Sequence, residues 1–267
     1  MDLILPLSVH FRRKEQSDLF RLELLVRSVE AFWRGGDTLH IITPDMKEVA
    51  AEVARLRPKL RVVLHSDESV FASMNVRPWL RQQVLKLAAN RVVDSDFYLV
   101  LDADCFFVRP TTASDLVTEG RGRVCFGRGI PYSSSPWYVG CRELGLKVPS
   151  SNGVNMTPFV MHRQLAADAL QYVLERTPVI GPFRWSEYTL YHCVAAHNGT
   201  WDSHHFTGAP LLGNEIWTSS RFRKWDPAKC FVPGDFPLSL VQSAAGASGA
   251  QVRAAVLPYI DKALGRG

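Results

Sequence analysis

The sequence is poor in cysteine and lacks any cysteine pair at metal-binding spacing. Its five Cys, at positions 105, 125, 141, 193 and 230, are odd in number and form no Cys-x-x-Cys. That argues against a zinc site and a disulfide framework, and makes a reduced cytoplasmic setting the default. No apolar run approaches the roughly 20 residues that cross a bilayer. The start, Met-Asp-Leu-Ile-Leu-Pro, carries an acid where an export signal needs bases, so no signal peptide is expected. A dense basic block is also missing: the 31 Lys and Arg are spread along the chain, unlike a nucleic-acid-binding arm. There is no internal repeat and no low-complexity tract.

What is present is ordinary in amount and informative in order. The 267 residues are 46% hydrophobic and 21% charged, with a net charge of +5. This length fits one large α/β domain or two small ones. The positive balance mildly favours an anionic substrate, or peripheral contact with an anionic membrane surface such as the inner membrane face.

The chain opens with alternating strand and helix patterns. Asp2–Val9 reads as a strand and Glu15–Trp33 as a helix, with Leu19, Leu22, Val26, Val29 and Phe32 on one face. Gly35-Gly36 ends it. Thr38–Thr43 is a strand, Met46–Arg57 a helix after Pro44, and Arg61–His65 a third strand. A β-α-β-α-β opening predicts a parallel sheet. Arg77–Asn90 reads as a helix buried through Leu80, Val84, Leu87 and Ala88, with Trp79, Gln82, Gln83 and Lys86 on other sides. Gly127–Gly153 has no clear period, and an irregular stretch of that length is more often a binding loop than a passive connection. Val154–Met161 is expected as a strand, Gln164–Arg176 and Arg184–His197 as helices, the latter with Ser186 as N-cap. Trp201–Phe206 is expected as a short strand. Phe236–Ala245 and Gln251–Leu257 are expected as terminal helices, the second stopped by Pro258.

The focal stretch is Phe97-Tyr-Leu-Val-Leu-Asp102-Ala-Asp104, an apolar strand that ends in two carboxylates. With fifteen Asp in the chain, about one Asp-x-Asp arises by composition alone. Asp94-Ser-Asp96 is such a case, in a polar turn. The strand in front of Asp102, rather than the spacing, carries the signal. Open α/β sheets bind ligands at the carboxyl ends of their strands. Two carboxylates there repel each other, and a divalent cation relieves the repulsion with hard oxygen coordination. The bland alternative is a pair of turn-capping acids.

This order of elements, with Asp-x-Asp near residue 100, resembles the GT-A-fold glycosyltransferases, nucleotide-sugar enzymes with a DxD motif. The block Trp185-Ser-Glu187-Tyr188-Thr-Leu-Tyr191 is similar to the acidic helix start those enzymes place near the acceptor. Arg77–Leu87 resembles segments of bacterial polysaccharide-assembly members. The resemblance covers roughly residues 1 to 210 and implies a single α/β domain with a mixed, mostly parallel central sheet flanked by helices. It implies a donor half (1–110), an acceptor half (111–235) and C-terminal helices (236–267). It also implies sugar transfer from a nucleotide-diphosphate donor to a saccharide or glycolipid acceptor in bacterial surface-polysaccharide synthesis.

Residue roles follow from that resemblance. Asp102 and Asp104 are expected to hold Mn²⁺ or Mg²⁺, with His204 or His205 as a third ligand. Only one of two adjacent His on an extended segment can point to the metal, and both are otherwise surface or core residues. Pro6, Leu7, Ser8, Arg13, Lys86 and Ala103 join the two Asp in the expected donor site. Arg13 sits in the run Arg12-Arg13-Lys14, otherwise a solvated basic turn, and Lys86 is otherwise a solvated helix residue. Glu187 is the expected general base, or else an acid offsetting the helix dipole. Asn152, Asn155, Trp185 and Tyr188 are expected at the acceptor, against turn formation for the Asn and core packing for the aromatics.

Two other readings compete. A haloacid-dehalogenase-type phosphatase also has Asp-x-Asp after a strand, but usually places Thr or Val where Phe106 stands, and no later acidic pair follows. A non-catalytic carbohydrate-binding protein on the same scaffold needs no intact carboxylates, and both are intact here.

Overall fold

The computed structural model describes residues 1–9, 17–36, 38–72, 76–126, 135–149, 153–154, 157–176, 184–232, 234, 236–243 and 245–266. The strands are β1 (Asp2–Pro6), β2 (Thr38–Thr43), β3 (Arg61–Ser66), β4 (Phe97–Val100), β5 (Cys105–Phe107), β6 (Val117–Thr118), β7 (Arg121–Val124), β8 (Phe159–His162), β9 (His205–Thr207) and β10 (Leu238–Leu240). The helices are α1 (Ser17–Phe32), α2 (Met46–Leu56), α3 (Asp67–Val70), α4 (Pro78–Ala88), α5 (Pro136–Glu143), α6 (Arg163–Arg176), α7 (Glu187–His197), α8 (Trp201–His204), α9 (Ser219–Phe222) and α10 (Gly249–Ala263).

The central sheet has the order β3-β2-β1-β4-β8. The first four of these strands run parallel, and β8 returns antiparallel to β4. This is the expected mixed, mostly parallel sheet. Two small sheets flank it: β10 pairs antiparallel with β5, and β6-β7-β9 form the other.

Alternation along the strands builds two core layers. Leu3, Leu5, Leu39, Ile41, Leu99 and Leu101 face one side, where residues of α1 and α10 pack. Ile4, Ile42, Tyr98 and Val100 face the other, against α4, α6 and α7. Each such side chain, fully buried, contributes about 1.5–3 kcal/mol. A one-residue slip of β1 or β4 would exchange the two layers, so burial on both faces fixes the register.

Three local expectations are corrected. Phe236–Ala245 is not a helix: Leu238, Ser239 and Leu240 pair with Phe107, Phe106 and Cys105 as β10. Sheet pairing of a buried segment overrides its local pattern. Pro258 does not stop the last helix, which continues to Ala263. Pro258 is exposed, as is Ala254, so the Ala254 carbonyl that loses its usual helical partner to proline lies at the surface, where such a loss is tolerated. Trp201–His204 is a helical turn, held by Ser203 Oγ donating to Thr200 O at 2.8 Å, and only His205–Thr207 is strand. No helix is long and apolar enough to cross a membrane among the described residues.

Candidate functional site

Asp102 and Asp104 sit on a tight turn. Cys105 N donates to Asp102 O at 3.0 Å, closing the connection from β4 to β5. The end of β10 locks this turn from the other side. Val241 N donates to Asp104 O at 3.0 Å, and Ser243 N donates to Asp104 Oδ2 at 3.1 Å. The turn lies at the carboxyl ends of β1, β2 and β4, at the floor of a cleft of about 430 Å³. Pro6, Leu7 and Ser8 line the same cleft from the end of β1, and Ile42 and Pro44 from the end of β2. The point where neighbouring parallel strands send their connections to opposite faces is where open sheets bind ligands.

Lys86 is the cation at this floor. Its side chain is 3% exposed, and Nζ lies 2.9 Å from Asp102 Oδ1 and 2.8 Å from Glu187 Oε1. The Asp102 approach is an ion-pair contact without hydrogen-bond alignment, whereas the Glu187 contact is a hydrogen bond. Nζ also donates to Thr157 Oγ1 at 3.1 Å and to Tyr188 OH at 3.3 Å. Burial alone would favour neutral lysine, but Asp102 and Glu187 together hold the ammonium well above the ordinary lysine range. The Gln83 amide, oriented with its nitrogen towards Glu187, donates to Oε1 at 3.2 Å and also to Oε2. Burial pushes the Glu187 carboxyl up, and Lys86 pulls against it.

The carboxylate pair shows the repulsion its spacing implies. Burial and the neighbouring Asp102 push Asp104 up to about 6, against the pull of Arg21, the Ser243 N–H and Lys86. Asp104 Oδ1 is buried and has no hydrogen-bond partner among the described residues. Arg21 is buried in α1 and donates to Val241 O at 2.6 Å and Ala247 O at 3.3 Å, fixing the segment that clamps Asp104.

Among the described residues that line the cleft, the carboxylates are Asp18, Asp67, Asp102, Asp104 and Glu187, and the cations are Arg21, Arg81 and Lys86. Arg81 is spent on Asp67, its Nε 2.5 Å from Oδ2. The floor is therefore acidic, with one buried carboxylate oxygen left over. Hard oxygen donors and an excess of negative charge fit a divalent cation that takes its remaining ligands from a substrate phosphate and water.

Several expected site residues lie elsewhere. His204 and His205 are not brought to the carboxylates. His205 Nδ1 is 3.1 Å from Gly122 O and Nε2 is 2.7 Å from Tyr191 OH, so both ring nitrogens are occupied. Its ring packs against Phe97, at the opposite end of β4 from Asp102. Burial holds it neutral, its pKa lowered to about 3. His204 Nδ1 lies 2.9 Å from Thr200 O and its ring packs on His162, so it belongs to the same remote cluster. Among the described residues no group of three or more His, Cys, Asp and Glu is arranged to hold a metal.

Trp185 is fully buried, which removes it as a sugar platform. Tyr188 is 2% exposed, its ring stacks on Phe159 at 4.8 Å, and its hydroxyl contacts Lys86 and Thr157. It supports Lys86 and offers no free face to an acceptor. Arg13, Asn152 and Asn155 lie outside the described residues.

Other cleft residues, Lys86 apart, were not singled out as site residues by sequence reasoning. Trp79, Gln82, Gln83 and Lys86 all line the cleft, at i, i+3, i+4 and i+7 of α4. This is one stripe, and it corrects their scattering over other sides of the helix. Trp137 at the start of α5 stacks on Trp79, with ring centroids 5.0 Å apart and planes at 26°. A repeated Pro-Trp at two helix starts, Pro78-Trp79 and Pro136-Trp137, was the available signal.

No curated protein matches the chain in sequence. Among solved structures, the galactosyltransferase LgtC in complex with donor and acceptor sugar analogues is similar at 15% identity, over 98% of this chain and 96% of that one, with a TM-score of 0.56. An active-site mutant of LgtC is similar at 15% identity, over 97% and 95% respectively, with a TM-score of 0.58. Mouse xyloside xylosyltransferase 1, in its apo form, gives 12% identity, 91% and 98% coverage and a TM-score of 0.54. The whole chain thus has the fold of these GT-A glycosyltransferases. By sequence it matches over residues 1–264 a family described as being of unknown function, DUF6492, and it belongs to that family.

Proposed function

We propose that the chain is a metal-dependent glycosyltransferase moving a sugar from a nucleotide-diphosphate donor to a hydroxyl of a saccharide or glycolipid. The observation that carries this reading is the acidic turn at the cleft floor: Asp102 and Asp104 side by side, with Asp104 Oδ1 buried and unpartnered. Asp102 and Asp104 would hold Mn²⁺ or Mg²⁺. When bound, such an ion neutralises the diphosphate leaving group as a Lewis acid.

In the transfer, the bond from the anomeric carbon to the diphosphate oxygen breaks, and its electron pair leaves with the diphosphate. A bond from the acceptor oxygen to that carbon forms, and the acceptor hydroxyl's proton passes to the departing diphosphate oxygen. Pro6, Leu7 and Ser8 at the end of β1 suit the nucleoside, as the strand-end rule requires. Lys86 suits the donor's phosphate or sugar oxygens. Glu187, engaged by Lys86 and by the Gln83 amide, acts as the residue that positions Lys86, replacing the general-base role expected from its placement. Residues 111–235, Trp137 among them, contribute to the acceptor side. The likeness of Arg77–Leu87 to polysaccharide-assembly enzymes supports a role in bacterial surface glycans, at the cytoplasmic face of the membrane.

The test is release of nucleotide diphosphate from a panel of nucleotide sugars, with Mn²⁺ or with excess chelator. Turnover that needs the ion and disappears in Asp104→Asn is expected. Full turnover in chelator, or none with any nucleotide sugar, would overturn the reading. A donor present at a hundred times its Kd should also stabilise the fold by about 2.7 kcal/mol.

A further inference from the structure

The cleft has an aromatic rim that the donor chemistry does not use. Trp79 is 39% exposed, one of few large apolar side chains so exposed among the described residues. It is the second residue of α4, directly after Pro78. Trp137 is likewise the second residue of α5, directly after Pro136. The fixed φ of proline suits a helix start and sets the direction in which each Trp leaves it. The two indoles stack, so Trp137 covers part of Trp79, and the exposed remainder of that ring is open to a ligand. The seat of α5 is tight as well. A Cβ at Gly140 would lie 1.7 Å from Arg184 O, two residues before the N-cap of α7, so only glycine allows this approach.

The stripe on α4 connects this rim to the floor. Trp79 is followed inward by Gln82, Gln83 and Lys86, and seven residues of helix span about 10 Å. Gln82 is half-buried, lines the cleft and has no hydrogen-bond partner among the described residues. Of the described cations that line the cleft, Arg81 is committed to Asp67, Arg21 to the Val241 and Ala247 carbonyls, and Lys86 to Asp102 and Glu187. Arg77, the exposed N-cap of α4, does not line it, so no lining cation is left over for a phosphate. A pyranose would find what it needs, an aromatic face for its C–H surface and a neutral amide for its hydroxyls.

We propose that Trp79, buttressed by Trp137 and joined by Gln82, is the platform on which the acceptor saccharide lies, its ring on the indole and its reacting hydroxyl towards Lys86 and Asp102. This rests on the transferase reading and extends it: the acceptor is a saccharide presenting an open ring face, rather than a lipid or protein hydroxyl alone. The rotamer-poor indole pair is held before the ligand arrives, which lowers the ordering cost of binding.

The experiment uses the full chain, fluorescently labelled, on a glycan microarray. It compares wild type with Trp79→Ala, Trp79→Phe and Trp137→Ala. Folding and the donor site are followed separately by the thermal shift that UDP, GDP or ADP gives with Mn²⁺. Expected is binding to a defined group of glycans, weakened at least about tenfold in Trp79→Ala and in Trp137→Ala, and partly retained in Trp79→Phe. Wild type binding no glycan, or Trp79→Ala binding as wild type does, would overturn the platform. So would loss of the nucleotide shift in Trp79→Ala with glycan binding intact, because the indole would then be a base platform. Wild type that binds glycans through Trp79 but turns over no nucleotide sugar would sustain the platform and remove the transferase reading, so the two failures are distinguishable.

Discussion

Lys86 Nζ lies 2.8 Å from Glu187 Oε1, and both side chains are 3% exposed. The two residues are 101 positions apart, on α4 and α7, and their contact ties together two walls of the cleft. The same ammonium reaches Asp102, so one buried cation answers two carboxylates from different parts of the chain. A buried pair of this kind gains little over an apolar substitute of the same shape, and breaking it is costly. It is better explained by function than by stability: it holds a positive charge beside Asp102 at the floor of an acidic cleft.

Lys86→Met should therefore destabilise the protein by about 3–5 kcal/mol, because it leaves Glu187 buried without its partner. The double variant Lys86→Met with Glu187→Gln should recover much of that loss, since only Asp102, which is partly exposed, is then left without the ammonium. Urea unfolding of the four proteins in the cycle measures it. Additive losses would mean that the two side chains do not act as a pair.

Glu187→Gln alone separates two roles. The amide oxygen can still accept from Lys86, so the fold should survive. As the residue that positions Lys86, Glu187 should affect donor affinity and turnover together, raising the donor KM while kcat falls. A general base would give a loss of about 10²–10⁴ in kcat with donor affinity unchanged. That second pattern would return Glu187 to the acceptor hydroxyl.

The sheet was legible because its signals are local. Leu3, Leu5 and Ile4 alternate, Asp102 follows an unbroken apolar run, and Ser186 caps α7 as its sequence implies. The end of the sheet at which the cleft lies was legible for the same reason, since strand ends can be counted. The remainder depends on contacts between distant segments. Nothing in Leu238-Ser-Leu240 announces β5 as its partner, and nothing around Lys86 announces Glu187 or Thr157. Burial cannot be read from residue type either. Trp185 and Tyr188 have the composition of a sugar platform but are core residues, whereas Trp79 is the exposed one. His204 and His205 were attractive as ligands by type, and only the course of the chain shows them at the far end of β4.

The histidine cluster gives a direct check on the metal ligands. His204→Ala should leave the Mn²⁺ dependence of turnover unchanged. His205→Phe should cost about 1–3 kcal/mol of stability, because Tyr191 OH and Gly122 O lose buried partners. The required Mn²⁺ concentration should stay as in wild type. A tenfold or greater rise in that concentration for either variant would restore a histidine to the metal.

The last prediction concerns acid stability and lies outside the cleft. Glu23 of α1 is 1% exposed in its side chain and collects three arginines. Arg253 Nε from α10 approaches Oε2 at 2.7 Å, Arg55 Nη2 from α2 approaches it at 3.0 Å, and Arg27 Nε lies 3.1 Å from Oε1. Burial pushes the Glu23 carboxyl up, but Arg253 and Arg55 outweigh it and the net pKa falls below the usual carboxylate range. A depressed native pKa means that Glu23 contributes stability fully above its unfolded value of about 4.3 and loses that contribution as pH drops through the native value. Glu23→Gln should thus cost about 1–3 kcal/mol at pH 7. The low end of that range is favoured because Arg55 is more than half exposed and solvent screens its share. Below about pH 4 the difference should shrink, because wild-type Glu23 then takes up the proton that makes it resemble the variant. Urea unfolding of both proteins between pH 7 and pH 3 provides the measurement. A gap that stays constant over the whole range would mean that packing, rather than the charges joining α1, α2 and α10, accounts for the effect of Glu23.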